Sequence, residues 1–390
     1  MGMRFSQRGL SLVELMIAMA IGLFLILGAT EVLLATKRSQ SLNEELARSQ
    51  ERIRFTKEWL TRDLRQLGYS GCGSRNKHFV ALDEDSTDLS FTFVNMTDLV
   101  DPDARLLGVT GFDGDHLPSD LGGVASWRPD DAPDGYPRSD ILTLGSVQPG
   151  LRIISKDATA NANLRVIAVD SDRQCSSANG NKSTPAPSGL CEGDLLIAAD
   201  CDQAVLFVGT NVKTVSGCGA DIASCTQVVH SEANTGGAGN SASVWQKQVE
   251  RFGTGAELIR IAGASYFVGL SGLTGEPALM RCEQPCAGSD QWEELVPGVE
   301  NLQVWYRRGS ESDFLRADQI TSSSDWERIT ALRISAVVRS PTSGGEAVRL
   351  AFDGESCESP LADGATPLSF ADGRNRQKLC FTVALRNRLK

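Results

Sequence analysis

Arg8-Gly-Leu-Ser-Leu-Val-Glu14, followed by Leu15-Met-Ile-Ala-Met-Ala-Ile-Gly-Leu-Phe-Leu-Ile-Leu-Gly-Ala-Thr30 and by Val32-Leu33-Leu34-Ala35 before Lys37-Arg38, is the stretch that decides the fold. From Leu10 to Leu34 the chain is long enough to cross a bilayer as a helix, for which about 20 apolar residues suffice. Arg4 and Arg8 precede it and no acid does, so the positive-inside bias keeps the first residues cytoplasmic and sends everything after Lys37 across the membrane. Glu14 is the anomaly. A carboxylate near the start of a spanning helix is costly unless it is partnered or protonated, and such residues mark function.

A basic leader, Gly9, an acid five residues later and a long apolar run together resemble the processing site of type IV prepilins. That resemblance implies cleavage after Gly9 by a dedicated prepilin peptidase, methylation of the new amine at Leu10, and an assembly role for Glu14. An ordinary secretory signal has an apolar core of about 7–15 residues and a small-residue cleavage site, and this core is longer. A plain anchor would explain the length but not Glu14.

The chain has 390 residues, 41% hydrophobic and 22% charged, which indicates a globular protein and not a disordered one. Formal net charge is −11, and loss of Arg4 and Arg8 with the leader would take it to −13. Such a field repels phosphate backbones, and no basic run with interleaved aromatics offsets it, so direct nucleic acid binding is disfavoured.

All ten cysteines lie on the exported side: Cys72, Cys175, Cys191, Cys201, Cys218, Cys225, Cys282, Cys286, Cys357 and Cys380. An even number in an oxidising compartment reads as disulfides, with about 900 connectivities open to ten cysteines. The local pairs Cys218–Cys225, Cys282–Cys286 and Cys357–Cys380 are favoured, and the remaining pairings stay open. Zinc at Cys282 and Cys286 would need a second Cys or His pair at zinc spacing, which the sequence lacks.

Between Lys37 and Leu67 the apolar residues Leu42, Leu46, Ile53, Leu60, Leu64 and Leu67 recur at helical multiples among charges. No proline falls between Leu10 and Leu67, so membrane and amphipathic segments can form one rod of about 87 Å, ended by a left-handed cap at Gly68. Beyond Cys72 the period changes. Strand patterns occur at Leu89 to Val94, Asp140 to Leu144, Leu164 to Val169, Leu195 to Ala198, Val205 to Val208, Leu258 to Leu270, Val299 to Tyr306, Leu332 to Val338 and Leu379 to Leu385. Long loops are expected at Asp98 to Arg138, Asp170 to Leu190 and Asn211 to Ala242.

Here a second resemblance enters. Trp59-Leu-Thr-Arg-Asp-Leu-Arg-Gln-Leu-Gly-Tyr-Ser-Gly-Cys72, Gly193-Asp-Leu-Leu-Ile197, Leu295-Val-Pro-Gly-Val-Glu-Asn-Leu-Gln-Val-Trp-Tyr306, Ile329-Thr-Ala-Leu-Arg-Ile-Ser-Ala-Val-Val-Arg339 and Phe381-Thr-Val-Ala-Leu-Arg-Asn-Arg388 resemble the PilW family of minor pilins. The fold so implied is an α+β pilin fold, a long N-terminal helix packed on an antiparallel β-sheet with disulfide-stapled loops. Its parts are a leader over 1–9, a transmembrane helix over 10–35, an amphipathic continuation over 36–68 and a periplasmic head over 69–390.

Nothing points to catalysis. His78, His116 and His230 stand in polar, loop-like settings that read as surface, without a nucleophile motif. The Gly236-Gly-Ala-Gly-Asn-Ser241 run lacks the lysine of a phosphate loop. Acids at Asp83-Glu84-Asp85 and from Asp130 to Asp134 read as solvated loops with calcium as the competing reading. The second set has Ala132 and Ile141 where an EF-hand needs oxygen ligands. Trp127 and Trp326 read as contact anchors or partial core. No cofactor and no metal are expected.

The resemblance implies a structural subunit that primes type IV pilus assembly with other minor pilins and the major pilin. It would start in the inner membrane and end at the fibre tip, next to a tip adhesin. The alternatives are a J-type pseudopilin of type II secretion, a membrane-anchored periplasmic binding or adhesin protein, and an enzyme on a pilin stalk.

Overall fold

The computed structural model describes residues 11–67, 69, 77–80, 90–91, 94–95, 100–101, 105–106, 108–117, 127–130, 132–148, 150–156, 163–176, 183–185, 187–219, 222–231, 240, 252, 254–283, 292–322, 325–326, 328–343, 348–350 and 368–385. One helix, Leu12–Gln66, runs unbroken through both halves of the predicted rod. At 1.5 Å per residue its 55 residues span about 82 Å. Leu67 leaves the helix in an extended conformation, φ −56° and ψ 131°. The cap expected at Gly68 lies outside the described residues.

Only the second half of the helix is docked. Its covered stripe runs through Ser49, Ile53, Thr56, Leu60, Asp63, Leu64 and Leu67, steps of three and four that keep one face toward the head. Leu60, Leu64 and Leu67 are fully buried, worth about 1.5–3 kcal/mol each by area. Leu42 and Leu46 continue the same stripe but are 46% and 41% exposed. The head therefore covers less of the amphipathic segment than its pattern suggests.

The helix packs on a three-stranded antiparallel sheet in the order Val299–Arg308, Ile329–Ser343, Arg374–Ala384. It also touches strands Ile141–Val147 and Trp292–Pro297 of the larger sheet. That sheet is organised by the 14-residue strand Glu257–Leu270, which serves two sets of partners. Its first residues pair with Leu195–Ala199 and with Leu151–Lys156, and its remainder pairs with Ile141–Val147 and Pro277–Glu283.

The two halves of this strand feed two cores. Tyr266 and Val268 join the helix, the three-stranded sheet and Leu144 in the main core. Leu258 joins Leu196, Phe207, Val228 and Phe252 in a second core away from the helix.

The architecture is α+β, one long apolar N-terminal helix followed by antiparallel sheets. One exception to the antiparallel expectation is Lys77–Val80, which pairs parallel with Gln203–Val208.

Much of what was expected as loop is strand. Asn211–Gly219 and Ile222–Val229 form a hairpin inside the predicted loop from Asn211 to Ala242. The first of these strands is largely exposed on both faces, so it lacks the apolar alternation by which strands are read from sequence. Within Asp98 to Arg138 lie Val100–Asp101, Arg105–Leu106 and Val109–Phe112, and within Asp170 to Leu190 lies the pair Gln174–Ser176 and Ser183–Pro185.

Two disulfides are described in full. Cys218–Cys225 closes the hairpin across seven positions, and Cys175–Cys191 ties the small hairpin to the turn before Leu195. Cys201, Cys282 and Cys380 are also disulfide-bonded. Cys72, Cys286 and Cys357, and with them the expected pairs Cys282–Cys286 and Cys357–Cys380, lie outside the described residues.

Candidate assembly surface

The first half of the helix presents apolar side chains on every side. Leu12, Met16, Met19, Leu23, Phe24, Leu25, Ile26 and Val32 are each more than 60% exposed. Mean hydropathy reaches 2.5 over an 18-residue window of which none is buried by the rest of the chain. A helix apolar all round needs lipid or other helices around it. Thr30 and Thr36 donate their hydroxyls to Ile26 O at 2.7 Å and Val32 O at 2.8 Å, which satisfies them in an apolar medium.

At the start of this segment the Ser11 N–H donates to Glu14 Oε2 at 3.4 Å, long for such a bond. Ser11-Leu-Val-Glu14 is therefore a capping box, with Ser11 as the cap residue and Glu14 at the third helical position. The Ser-x-x-Glu spacing in the sequence carries this signal, and the anomaly of a membrane carboxylate concealed it. Glu14 thus has a local partner in the isolated chain. Gly9 and Leu10 lie outside the described residues.

At the far end of the rod one acid fixes the helix to the head. Asp63, 4% exposed, accepts the Tyr266 hydroxyl in a short hydrogen bond and faces Arg281 Nε at 3.7 Å. Its other oxygen accepts Arg62 Nε at 3.2 Å. Burial, and then the Asp63 carboxylate, push the Tyr266 phenol well above its usual value. Burial pulls Arg281 down, but Tyr266 and Asp63 outweigh it and leave the guanidinium raised. About two turns below the docked leucines, Arg52 donates to Arg339 O at 3.2 Å. It passes over Gly298, whose φ of +83° and closeness to the guanidinium leave no room for a side chain.

The three-stranded sheet is braced by a charge network. Glu300 and Arg376 are wholly buried and meet at 2.9 Å, with Asp372 on the other side of Arg376 at 2.8 Å. Tyr136 donates to Glu300 Oε1 at 3.2 Å, and Arg376 lies 3.6 Å from the centre of the Phe370 ring. Glu276 joins Arg374 at 2.9 Å and contacts Arg339, which ties the turn after Leu270 to the last and the middle strands of that sheet. Burial would raise Glu276, and its two arginines hold it below the usual carboxylate range instead.

A second cluster sits beside the first strand of that sheet. Asp140 accepts Val304 N–H at 2.7 Å and Gly114 N–H at 2.9 Å, and meets Arg316 at 3.1 Å. Burial pushes its carboxyl up to about 7 against the pull of Arg316 and the two N–H donors. Arg316 also grips Asp113 Oδ2 through two N–H groups at 2.6 and 2.9 Å. His116 lies on the rim of the same cluster.

These placements revise several readings. His230 is buried, 6% exposed, with its ring edge-on to Phe207 at 6.2 Å, because it follows a strand that closes over the second core. Trp127 and Trp326 are partly buried against the main core, Trp326 edge-on to Tyr306 at 4.8 Å. Asp130 and Asp134 are exposed, each in a turn. Asp83, Glu84 and Asp85 lie outside the described residues, and no side-chain placement is described for His78. Among the described residues the set that could hold a cation is Asp113, His116 and Asp318, none of which was singled out for one.

Comparison with known protein families gives two matches. Residues 265–387 match the model described as Type IV Pilus-assembly protein W, and residues 4–30 match the Prokaryotic N-terminal methylation motif. The first spans the last part of the long organising strand and the whole three-stranded sheet, including the quoted stretches 295–306 and 329–339. The quoted stretches 59–72 and 193–197 lie outside both matches. No curated protein and no solved structure matches the chain.

Proposed function

From its membership of the PilW family of type IV pilus proteins, carried by those two matches, we propose that this chain is a minor pilin. It is a structural subunit that primes pilus assembly and sits at the fibre tip in company with other minor pilins, above the major pilin and beneath any tip adhesin. Prepilin peptidase removes residues 1–9, Leu10 becomes the mature N-terminus, residues 10–35 hold the chain in the inner membrane before assembly, and residues 69–390 form the periplasmic head of a pilin fold. The observation that carries this reading is the division of one unbroken helix. Its first half exposes apolar side chains on every side, and its second half is locked to a β-rich head through Leu60, Asp63, Leu64 and Leu67.

Such a helix leaves the bilayer without loss of burial only if other apolar helices replace the lipid. Assembly into a fibre supplies them. Among the described residues the buried acids Asp140, Glu300 and Asp63 are each held by arginines or by backbone N–H and tyrosine O–H donors, as braces of the head.

The test is co-purification of the full-length chain from membranes with its neighbours identified, together with mass spectrometry of its N-terminus. Pilus proteins as neighbours and a methylated Leu10 support the proposal. Secretion-system neighbours would make it a pseudopilin, and a chain that keeps Met1 and purifies alone would refute the pilin reading.

A further inference from the structure

We infer that the head carries a site for a zinc-class divalent cation, formed by Asp113, His116 and Asp318. His116 Nδ1 lies 3.1 Å from Asp113 Oδ1 and 3.8 Å from Asp318 Oδ2, and the donor atoms of the three residues all fall within 4.8 Å of one another. Ligands about 2.0–2.2 Å from zinc at tetrahedral or octahedral angles stand roughly 2.9–3.5 Å apart, so the first distance already fits, the second needs a contraction of tenths of an ångström, and the Asp113–Asp318 pair closes by up to about an ångström as Asp318 moves in. Such a shift is available, because Asp318 is 35% and His116 65% exposed at the side chain.

The third ligand is held in advance. Asp113 is 7% exposed, and its Oδ2 is fixed by two N–H groups of Arg316, which leaves Oδ1 aimed at His116. Arg316 is in turn fixed by Asp140 and by Gln303 Oε1 at 2.7 Å. A ligating carboxylate whose second oxygen is anchored by an outer hydrogen bond is the usual construction of a metal site. The guanidinium places a positive charge nearby, but Asp113, Asp115 and Asp318 outnumber it locally.

Donor chemistry selects the ion. One imidazole with two carboxylates suits zinc and its first-row neighbours, whereas calcium takes oxygen ligands throughout. Two exposed ligands leave coordination positions open to water. Asp113 follows the strand Val109–Phe112, and Asp318 lies in the single turn Ala317–Gln319, so a bound cation would join two segments about 200 positions apart and clamp the loop onto the edge of the three-stranded sheet. It would replace the proton that now links His116 to Asp113.

The experiment uses the full chain in detergent, stripped with a chelator, then dialysed against zinc chloride and assayed for bound metal and for thermal midpoint. One zinc per chain is expected, with a higher midpoint. His116→Ala and Asp318→Asn should each weaken retention at least about tenfold. Both positions are surface-exposed, and near-UV circular dichroism matching the wild type confirms an intact head; His116→Gln serves if His116→Ala does not match. Excess calcium should leave the zinc in place. No retained zinc, equal retention by folded variants, or displacement by calcium would each overturn the inference.

Discussion

Replacing Asp63 tests how the helix is joined to the head. Asp63→Ala removes a hydrogen bond between a carboxylate and the fully buried Tyr266 hydroxyl, and bonds to charged groups contribute about 1.5–3 kcal/mol. It also leaves Arg281 short of an anion. The full penalty of about 3–5 kcal/mol for an orphaned buried charge does not apply, because Arg281 is 17% exposed and keeps Glu293 at 3.6 Å. We expect a loss of about 3 kcal/mol for Asp63→Ala and about 1.5 kcal/mol for Tyr266→Phe, which leaves the carboxylate with Arg62 and Arg281. Since each change removes the same bond, the double variant should lose about 1.5 kcal/mol less than the sum. Urea unfolding of the full chain in detergent, followed by tryptophan fluorescence and near-UV circular dichroism, measures all four corners of the cycle. Coupling within about 0.5 kcal/mol of zero would mean that the leucine stripe alone holds the helix, and would refute the role given to Asp63.

Glu14 separates two roles by chemistry. Glu14→Gln keeps an acceptor for the Ser11 N–H but loses the charge that could meet a methylated Leu10 amine in a fibre, so it should be cleaved after Gly9 yet crosslink poorly to neighbouring pilins; normal crosslinking would reduce Glu14 to a helix cap. Stability should fall at both ends of the pH range. Asp113, Asp372 and Glu276 have folded values below their unfolded ones, so their contribution is complete above about pH 4–5 and lost as pH falls through the lowered values. Asp140, raised to about 7, works in the opposite sense. The folded state then holds its proton more tightly, and stability declines from about pH 4 until the group has ionised. Asp140→Asn should flatten the decline between pH 5 and 8 in a series of thermal or urea midpoints. Replacing Cys175 and Cys191 together by serine should cost about 3 kcal/mol, the loop-closure value for a 16-residue separation, read as a lowered urea midpoint with a somewhat steeper slope, because the opened loop exposes more surface in the unfolded chain.

The sequence made the helix plain because a largely apolar stretch from Leu10 to Leu34, free of proline and followed by a three-and-four repeat, reads as helix throughout. It made the central strands plain where burial is two-sided, as at Leu195–Ala199 and Gln203–Val208, every residue of which is buried. It failed where a strand is largely exposed on both faces, as in Asn211–Gly219, whose pairing is enforced by its partner and by Cys218–Cys225. Charge networks were illegible for another reason. Asp63 and Arg281 are more than 200 positions apart, as are Asp113 and Arg316, and each residue alone reads as surface. Only the topology of the sheets brings them together. The capping box at Ser11 and Glu14 was legible and overlooked, since its spacing is local.

What the fold leaves undone points to its neighbours. The stripe that docks at Ser49, Ile53, Thr56 and Leu60 begins earlier, at Leu42 and Leu46, where no part of the described head reaches it. Those two leucines stand beyond the apolar span, among Asn43, Glu44 and Arg48, where water and not lipid would face them. An isolated subunit therefore pays for two half-exposed leucines in the very turns that link membrane to head. A helix of another subunit, staggered along the same axis, would cover them in the geometry that already covers Leu60 and Leu64, by ridges three and four apart. On the proposed function, the first half of the rod would need the same partner once it left the bilayer. One continuous face, from Leu12 to Leu46, is thus left uncovered by the described head, and a shared helical core would complete it without any change to the head.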